Sequence, residues 1–214
     1  MQRANRIAEV VPPDSSHSLQ QAKAALRQQV RRALAAMDAH TREAQGRAVC
    51  DRIRHSREWT QARCVGLFAP LPDEPDLRPL WQEALVGGKT LVLPRWDSNT
   101  GTYVAARIQD PAADLVAGRY GVLEPRPELP IVAWESLDWL AVPGVAFDRR
   151  GGRLGRGAGH YDRILAATPA FRCGVAFACQ LVEAVPVAEH DLRVDAVVTP
   201  SEWIRCFAAT APRR

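Results

Sequence analysis

Long apolar runs are missing from this chain of 214 residues. No stretch approaches the roughly 18 consecutive apolar residues of a membrane-spanning helix, which excludes a helical membrane protein. Residues 1–18 lack the apolar core of a secretory signal. Lysine is nearly absent: Lys23 and Lys89 are the only two among 28 basic side chains. A lysine kept in so arginine-rich a chain raises the question of a task that a planar guanidinium cannot perform. Aromatic residues are absent from residues 1–57, which hold 11 basic and 5 acidic side chains, whereas the rest of the chain holds 17 and 19. A basic segment without Phe, Tyr or Trp lacks stacking platforms for bases. Its expected attraction to nucleic acid is salt-dependent and non-specific. Paired cysteine motifs are absent as well. Cys50, Cys64, Cys173, Cys179 and Cys206 form no CxxC and none sits at zinc-ligand spacing from a histidine. They read as reduced, mostly buried thiols, and the protein as cytoplasmic.

What is present is an ordinary globular mixture, 47% apolar and 24% charged, which excludes a coiled coil or a wholly disordered chain. Residues 1–18 read as a disordered tail and 19–214 as a single domain. From Leu19 the periodicity predicts a helix with Leu19, Leu26, Val30, Ala33, Leu34 and Met37 on one stripe. Lys23, Arg27 and Arg31 lie on a neighbouring stripe. A second helix is predicted from Thr41 to Arg57 with Thr41 as N-cap. Apolar runs at 64–69, 90–94, 102–107, 138–142, 174–178 and 196–199 predict strands, and 203–207 a last edge strand. Helical patterns at 77–86 and 160–167 fall between them, and the proline-rich stretch 110–136 reads as loop with short elements. The alternation predicts an α/β fold: three layers, a largely parallel central sheet with helices on both faces, Rossmann-like, with an N-terminal helical hairpin.

The most informative segment runs from Pro143 to Arg163. It follows a predicted strand and precedes a predicted helix, so it sits where α/β sheets bind ligands. Gly155, Gly157 and Gly159 alternate, so backbone N–H groups can approach an anion without obstruction by Cβ. Arg153 and Arg156 bracket the loop with guanidinium groups suited to phosphate. The helix beginning near Gly159 adds its positive end. The segment is not a Walker loop and fits GxGxxG only loosely. On composition alone a flexible Gly/Arg surface turn is the alternative reading, and without more context Lys23 and Arg27 read first as a solvated basic stripe.

The whole string FDxxGxRLGRGxGxYDR resembles the signature of the 5-formyltetrahydrofolate cyclo-ligase family, the methenyltetrahydrofolate synthetases. Further parts resemble the family in its order: Lys23-x-x-Leu26-Arg27, Glu74-Pro75-Asp76, Leu93-Pro94-Arg95, Gly121 to Pro125, Gln180-Leu181, Val185-Pro186, and His190-Asp191 through Asp195 to Thr199. The likeness spans Lys23 to Thr199. Two positions depart from it: Ala158 stands where glycine or lysine is usual, and His160 replaces the first tyrosine of YYD.

The resemblance implies ATP- and Mg²⁺-dependent cyclisation of 5-formyltetrahydrofolate to 5,10-methenyltetrahydrofolate, with ADP and phosphate released. It implies ATP binding by Lys23, Arg27, Arg153, Leu154, Gly155, Arg156, Gly157, Ala158, Gly159, His160 and Tyr161. Folate would meet Glu74, Gly157 and Tyr161. Asp162 and Asp191 would hold Mg²⁺, and Arg153 and Arg156 would stabilise transition-state charge. Read without the family, Asp162 is also a first-turn helix acid, Asp191 a turn former and Tyr161 a core tyrosine. Partners are then small molecules, with no membrane or specific nucleic acid, in a monomer or small homo-oligomer. The rival reading is a binding module that keeps the fold without turnover, toward which only Ala158 and His160 point. Replacing Arg153 or Arg156 by Ala is expected to weaken ATP binding strongly with the fold intact; titration calorimetry that finds nucleotide affinity unchanged in both variants would sink the loop assignment.

Overall fold

The computed structural model describes residues 15–188 and 191–206. Residues 1–14 of the expected tail, His190 and Phe207 lie outside the described residues. In chain order the elements are α1 (Ser15–Ala35), α2 (Ala39–Arg54), α3 (Arg57–Gln61), β1 (Cys64–Gly66), α4 (Arg78–Val86), β2 (Thr90–Asp97), β3 (Thr102–Ile108), α5 (Pro111–Asp114), β4 (Leu115–Ala117), β5 (Leu123–Pro125), β6 (Ile131–Val132), β7 (Trp139–Val142), β8 (Ala146–Asp148), β9 (Arg153–Leu154), α6 (His160–Ala167), β10 (Phe171–Val175), β11 (Leu181–Val182), β12 (Ala196–Val198) and β13 (Trp203–Arg205). No helix among them is long and apolar enough to cross a membrane.

The main sheet has the order β13-β12-β10-β7-β1-β2-β3-β6. Its five inner strands, β12, β10, β7, β1 and β2, are parallel; β13, β3 and β6 are antiparallel additions at the edges. Period-two alternation assigns each residue a face. Val65, Leu91, Trp139, Ala141, Cys173 and Val175 face the core that holds Val49 and Ile53 of α2 and Leu80 and Trp81 of α4. Leu140, Val142 and Val197 face the opposite core, with Ile164 and Leu165 of α6. Helices thus cover both faces, which makes the three expected layers.

Several local readings change. Helix α1 begins at Ser15, so residues 15–18 belong to it and not to a tail. Ala33 is exposed, while Lys23 and Arg27 lie on the half-buried side with Leu19 and Leu26. The cap of α2 is Asp38, whose carboxylate accepts from Thr41 N, so Thr41 sits inside the helix. The helix ends at Arg54, and Ser56 caps the separate α3. The two N-terminal helices are consecutive but bury into different clusters: Val30 and Leu34 of α1 join Val145, Leu154, Phe177 and Val185, while α2 covers the main sheet.

The glycine-rich segment is more ordered than a loop. β8 and β9 form an antiparallel hairpin, and β11 pairs with β8 in a second small sheet. Phe147 anchors this hairpin beneath the main sheet. A Cβ on Gly174 of β10 would lie 2.6 Å from its ring, and one on Gly144, between β7 and β8, 2.7 Å, so both positions need glycine where the ring passes. Gln180 is 1% exposed. Its amide donates to Gly144 O at 2.8 Å and its carbonyl accepts from Phe177 N at 2.8 Å.

Lys89 answers the question its rarity raised. Its Nζ donates to Ala62 O at 2.6 Å and Trp59 O at 2.9 Å, and lies 5.5 Å from the Trp59 ring. A compact ammonium caps the carbonyl end of α3, a task of structure and not of catalysis. Replacing Lys89 by Met is expected to destabilise the fold by about 1–3 kcal/mol through unsatisfied carbonyls, measured by urea unfolding.

Candidate active site

Three elements converge on residues 155–159. The first is α1. Arg27 Nε donates to Gly155 O at 2.9 Å, and its Nη2 would lie 3.9 Å from a Cβ on Gly157. One turn earlier, Lys23 Nζ donates to Asp191 Oδ2 at 2.6 Å. The i, i+4 spacing thus aims one cation at the glycine loop and the other at Asp191. The second element is α6. Gly159 is its N-cap in the left-handed region, φ 69°, and Gly157 has φ 110°. Both conformations favour glycine, and they turn the chain sharply into the helix. The third is the 71–76 loop. Arg156 Nη2 crosses to it and donates to Asp73 at 2.6 Å and Glu74 at 3.2 Å.

Under the loop the polar groups are buried. Arg153, its side chain 5% exposed, forms an ion pair with Asp162. Glu74 is 9% exposed and accepts from Leu71 N at 3.0 Å. Burial pushes its carboxyl above the ordinary range, against the pull of Leu71 N–H and Arg156. Burial likewise holds the Tyr161 phenol far above its usual value, with the Glu74 charge adding to the effect. Arg153 Nε, His160 Nε2 and Tyr161 OH are buried without a hydrogen-bond partner. An unsatisfied buried donor costs about 1–3 kcal/mol. These three atoms lie within nine residues of chain, about the start of α6.

An aromatic wall completes the site. Trp96 of β2 and Tyr103 of β3 are register partners. Their rings meet edge-on at 5.3 Å, and His160 meets them at 5.5 Å and 5.1 Å. Arg119 lies 4.1 Å from the Trp96 ring. Burial, then Arg163 and Arg119, lower the His160 pKa, so the imidazole is neutral near pH 7. Buried Glu124 holds this wall in place, accepting from Trp96 N at 2.9 Å and Arg119 N at 3.1 Å.

Some expected residues stand apart. Leu154 is 2% exposed and packs in the α1 core, so it offers the site only backbone. Ala158 is exposed. Asp162 and Asp191 are held by different cations, Arg153 and Lys23. No group of three or more metal-ligating side chains occurs among the described residues. Mg²⁺ needs only one or two carboxylates beside phosphate oxygens and water. Asp162, 54% exposed and directly below the glycine loop, fits an ion that arrives with a nucleotide. Asp73, Trp96, Tyr103 and Glu124 were missed in the sequence. Trp96 follows Leu93-Pro94-Arg95 directly, so extending that motif by one residue finds it.

The sequence profile described as the 5-formyltetrahydrofolate cyclo-ligase family matches residues 19–200. The chain belongs to that family. The 5-formyltetrahydrofolate cyclo-ligase of Escherichia coli K12 is 32% identical over 181 residues, which is 81% of this chain and 100% of the relative. That of Mycolicibacterium smegmatis is 35% identical over 152 residues, covering 66% of this chain and 76% of the relative. The Aquifex aeolicus 5,10-methenyltetrahydrofolate synthetase structure aligns with a TM-score of 0.79 at 33% identity, covering 90% of this chain and 96% of the other. The Mycoplasma pneumoniae 5,10-methenyltetrahydrofolate synthetase, 18% identical with a TM-score of 0.66, shares the fold. In this cyclo-ligase family member the glycine loop, the 71–76 loop and α1 thus meet on a fold that relatives retain at low identity.

Arg153 is more deeply built in than the sequence suggested, and removing it empties a buried position; Arg156 is the cleaner position at which to probe the loop. Glu74 carries a pH signature. Its proton is held more tightly in the fold than in the unfolded chain. Its stabilising contribution is therefore complete below pH 4.5 and lost as pH rises through the folded value. Above the folded value the ionised group is a net cost. Glu74→Gln is expected to melt at the same or a higher temperature than the parent at pH 7.5 while binding folate more weakly; a clearly lower melting temperature in calorimetry would make Glu74 a structural residue.

Proposed function

We propose that the protein is an ATP-dependent 5-formyltetrahydrofolate cyclo-ligase that forms 5,10-methenyltetrahydrofolate, ADP and phosphate. The observation that carries this reading is the unpaired, buried trio of Arg153 Nε, His160 Nε2 and Tyr161 OH at the start of α6. It lies beside two left-handed glycines, on a chain of this family.

The chemistry explains the residue types. A formamide oxygen is a poor leaving group. Transfer of the γ-phosphoryl group to that oxygen turns it into phosphate. The substrate's N10 then attacks the formyl carbon and gives up its proton as phosphate departs. Phosphoryl transfer asks for alignment and charge neutralisation more than for a protein nucleophile. Lys23, Arg27 and the backbone N–H groups of residues 155–159 bind the phosphates. Arg153 and Arg156 neutralise the charge that spreads over the transferred group. Asp162 would hold Mg²⁺ that arrives with the nucleotide, and Asp191 would join it on exchanging its Lys23 partner, so that the ion would shield the phosphate charge.

The folate end uses the other half of the site. A reduced pterin presents N–H donors, and the Glu74 carboxylate accepts them. Tyr161, His160, Trp96 and Tyr103 wall the ring and exclude water from the phosphorylated intermediate, whose hydrolysis would waste ATP. His160 serves in its neutral form. Arg163 Nη2 stands 3.3 Å from Nδ1, so Nδ1 accepts and the proton sits on Nε2.

Mixing the purified protein with 5-formyltetrahydrofolate and Mg-ATP is expected to raise the near-ultraviolet absorbance of the methenyl product, and omitting ATP or chelating Mg²⁺ to abolish the rise. Binding of both ligands with no rise would leave a binding module on this fold.

A further inference from the structure

A single guanidinium nitrogen, Arg156 Nη2, serves two carboxylates: Asp73 at 2.6 Å and Glu74 at 3.2 Å. The two are unequal. The Asp73 side chain is 35% exposed and that of Glu74 8%. Water can replace Arg156 at Asp73. At Glu74 little water is available, and a buried carboxylate left without a partner is strongly unfavourable. Both edges on which a guanidinium grips an oxyanion with two parallel N–H bonds include Nη2. A phosphate held in that way therefore competes with Asp73 and Glu74 for the same nitrogen.

Resting on the function proposed above, we infer that Arg156 is shared between the two substrates, so that nucleotide and folate bind cooperatively, with Asp73 as the positioning residue that holds the guanidinium when no nucleotide is present. A phosphate draws Nη2 away from Glu74. The stranded carboxylate then meets its need with the N–H donors of the pterin, which bind more tightly in consequence. In reverse, a pterin seated on Glu74 frees Arg156 for phosphate. Linkage requires both effects to be equal in size. Two facts make Glu74 the sensitive partner: burial already raises its proton affinity, and its remaining donor is the Leu71 N–H.

The test is titration calorimetry of the full-length protein with 5-formyltetrahydrofolate, with and without saturating β,γ-imido-ATP and Mg²⁺. The parent is expected to bind folate about fivefold or more tightly with the analogue present, a coupling of ordinary allosteric size. In Glu74→Gln the nucleotide is expected to change folate affinity less than about twofold, because a neutral amide does not need the guanidinium. Asp73→Asn is expected to bind the analogue about two- to fivefold more tightly, with or without folate, the change produced by a half-exposed ion pair. Circular dichroism checks that both variants fold. Equal folate affinity with and without the analogue in the parent, both ligands binding, overturns the sharing. Unchanged or weaker analogue binding in Asp73→Asn overturns the role of Asp73. If the parent binds no 5-formyltetrahydrofolate in either condition, the proposed function fails first and this inference falls with it.

Discussion

A carboxylate that is 1% exposed shapes the segment on which the site depends. Asp148 Oδ1 accepts from Arg150 N at 2.8 Å and Gly152 N at 2.9 Å, and Oδ2 accepts from Val185 N at 2.9 Å. Hydrogen bonds to a charged group contribute about 1.5–3 kcal/mol each, so three of them hold both the β8–β9 turn and the distant chain at 185. A Cβ on Gly152 would lie 2.5 Å from this carboxylate, and Gly151 adopts φ 82° to close the turn. The charge is buried at a cost that only a full set of donors offsets. That set exists in one backbone conformation, which delivers Arg153 under the glycine loop.

From that clamp the rest of the site follows in order. Phe147, one residue earlier, wedges against Gly144 and Gly174 and ties the hairpin to β7 and β10. Leu154 buries into the α1 core and so draws the helix that carries Lys23 and Arg27 against the loop. Phe147, Asp148 and Leu154 hold the segment, while Arg153, Arg156 and Tyr161 place their polar groups around the glycine loop. Its resemblance to a disordered Gly/Arg turn was a matter of composition. Its order comes from partners far away in the chain.

The cations share a property that composition does not reveal. Lys23, Arg27, Arg153 and Arg156 each have a protein partner, so none is a bare charge awaiting phosphate. Paired cations lose less side-chain entropy on binding and keep their geometry. Under the inference above, ligand capture is an exchange of partners at these cations.

Much of this was legible in the chain itself. The alternation of apolar runs determined the parallel sheet and its two helical layers, because a strand buried on both faces must read as continuously apolar. The glycine, arginine and aspartate spacing determined the site segment, because only glycine tolerates the left-handed turn into α6. Tertiary structure decided what depends on neighbours distant in sequence. Asp38 displaced Thr41 as a cap because the helix starts three residues earlier, where the Asp38 carboxylate reaches Thr41 N. Lys23 and Arg27 left the solvated face because α1 packs on the small sheet. Trp96 and Tyr103 became a wall with His160 only once β2 and β3 paired and α6 folded back over them. Asp73 gained a role only because Arg156 reaches it across 83 residues of chain. Spacing along a chain encodes local turns and faces; which charge meets which is settled by the packing that brings them together.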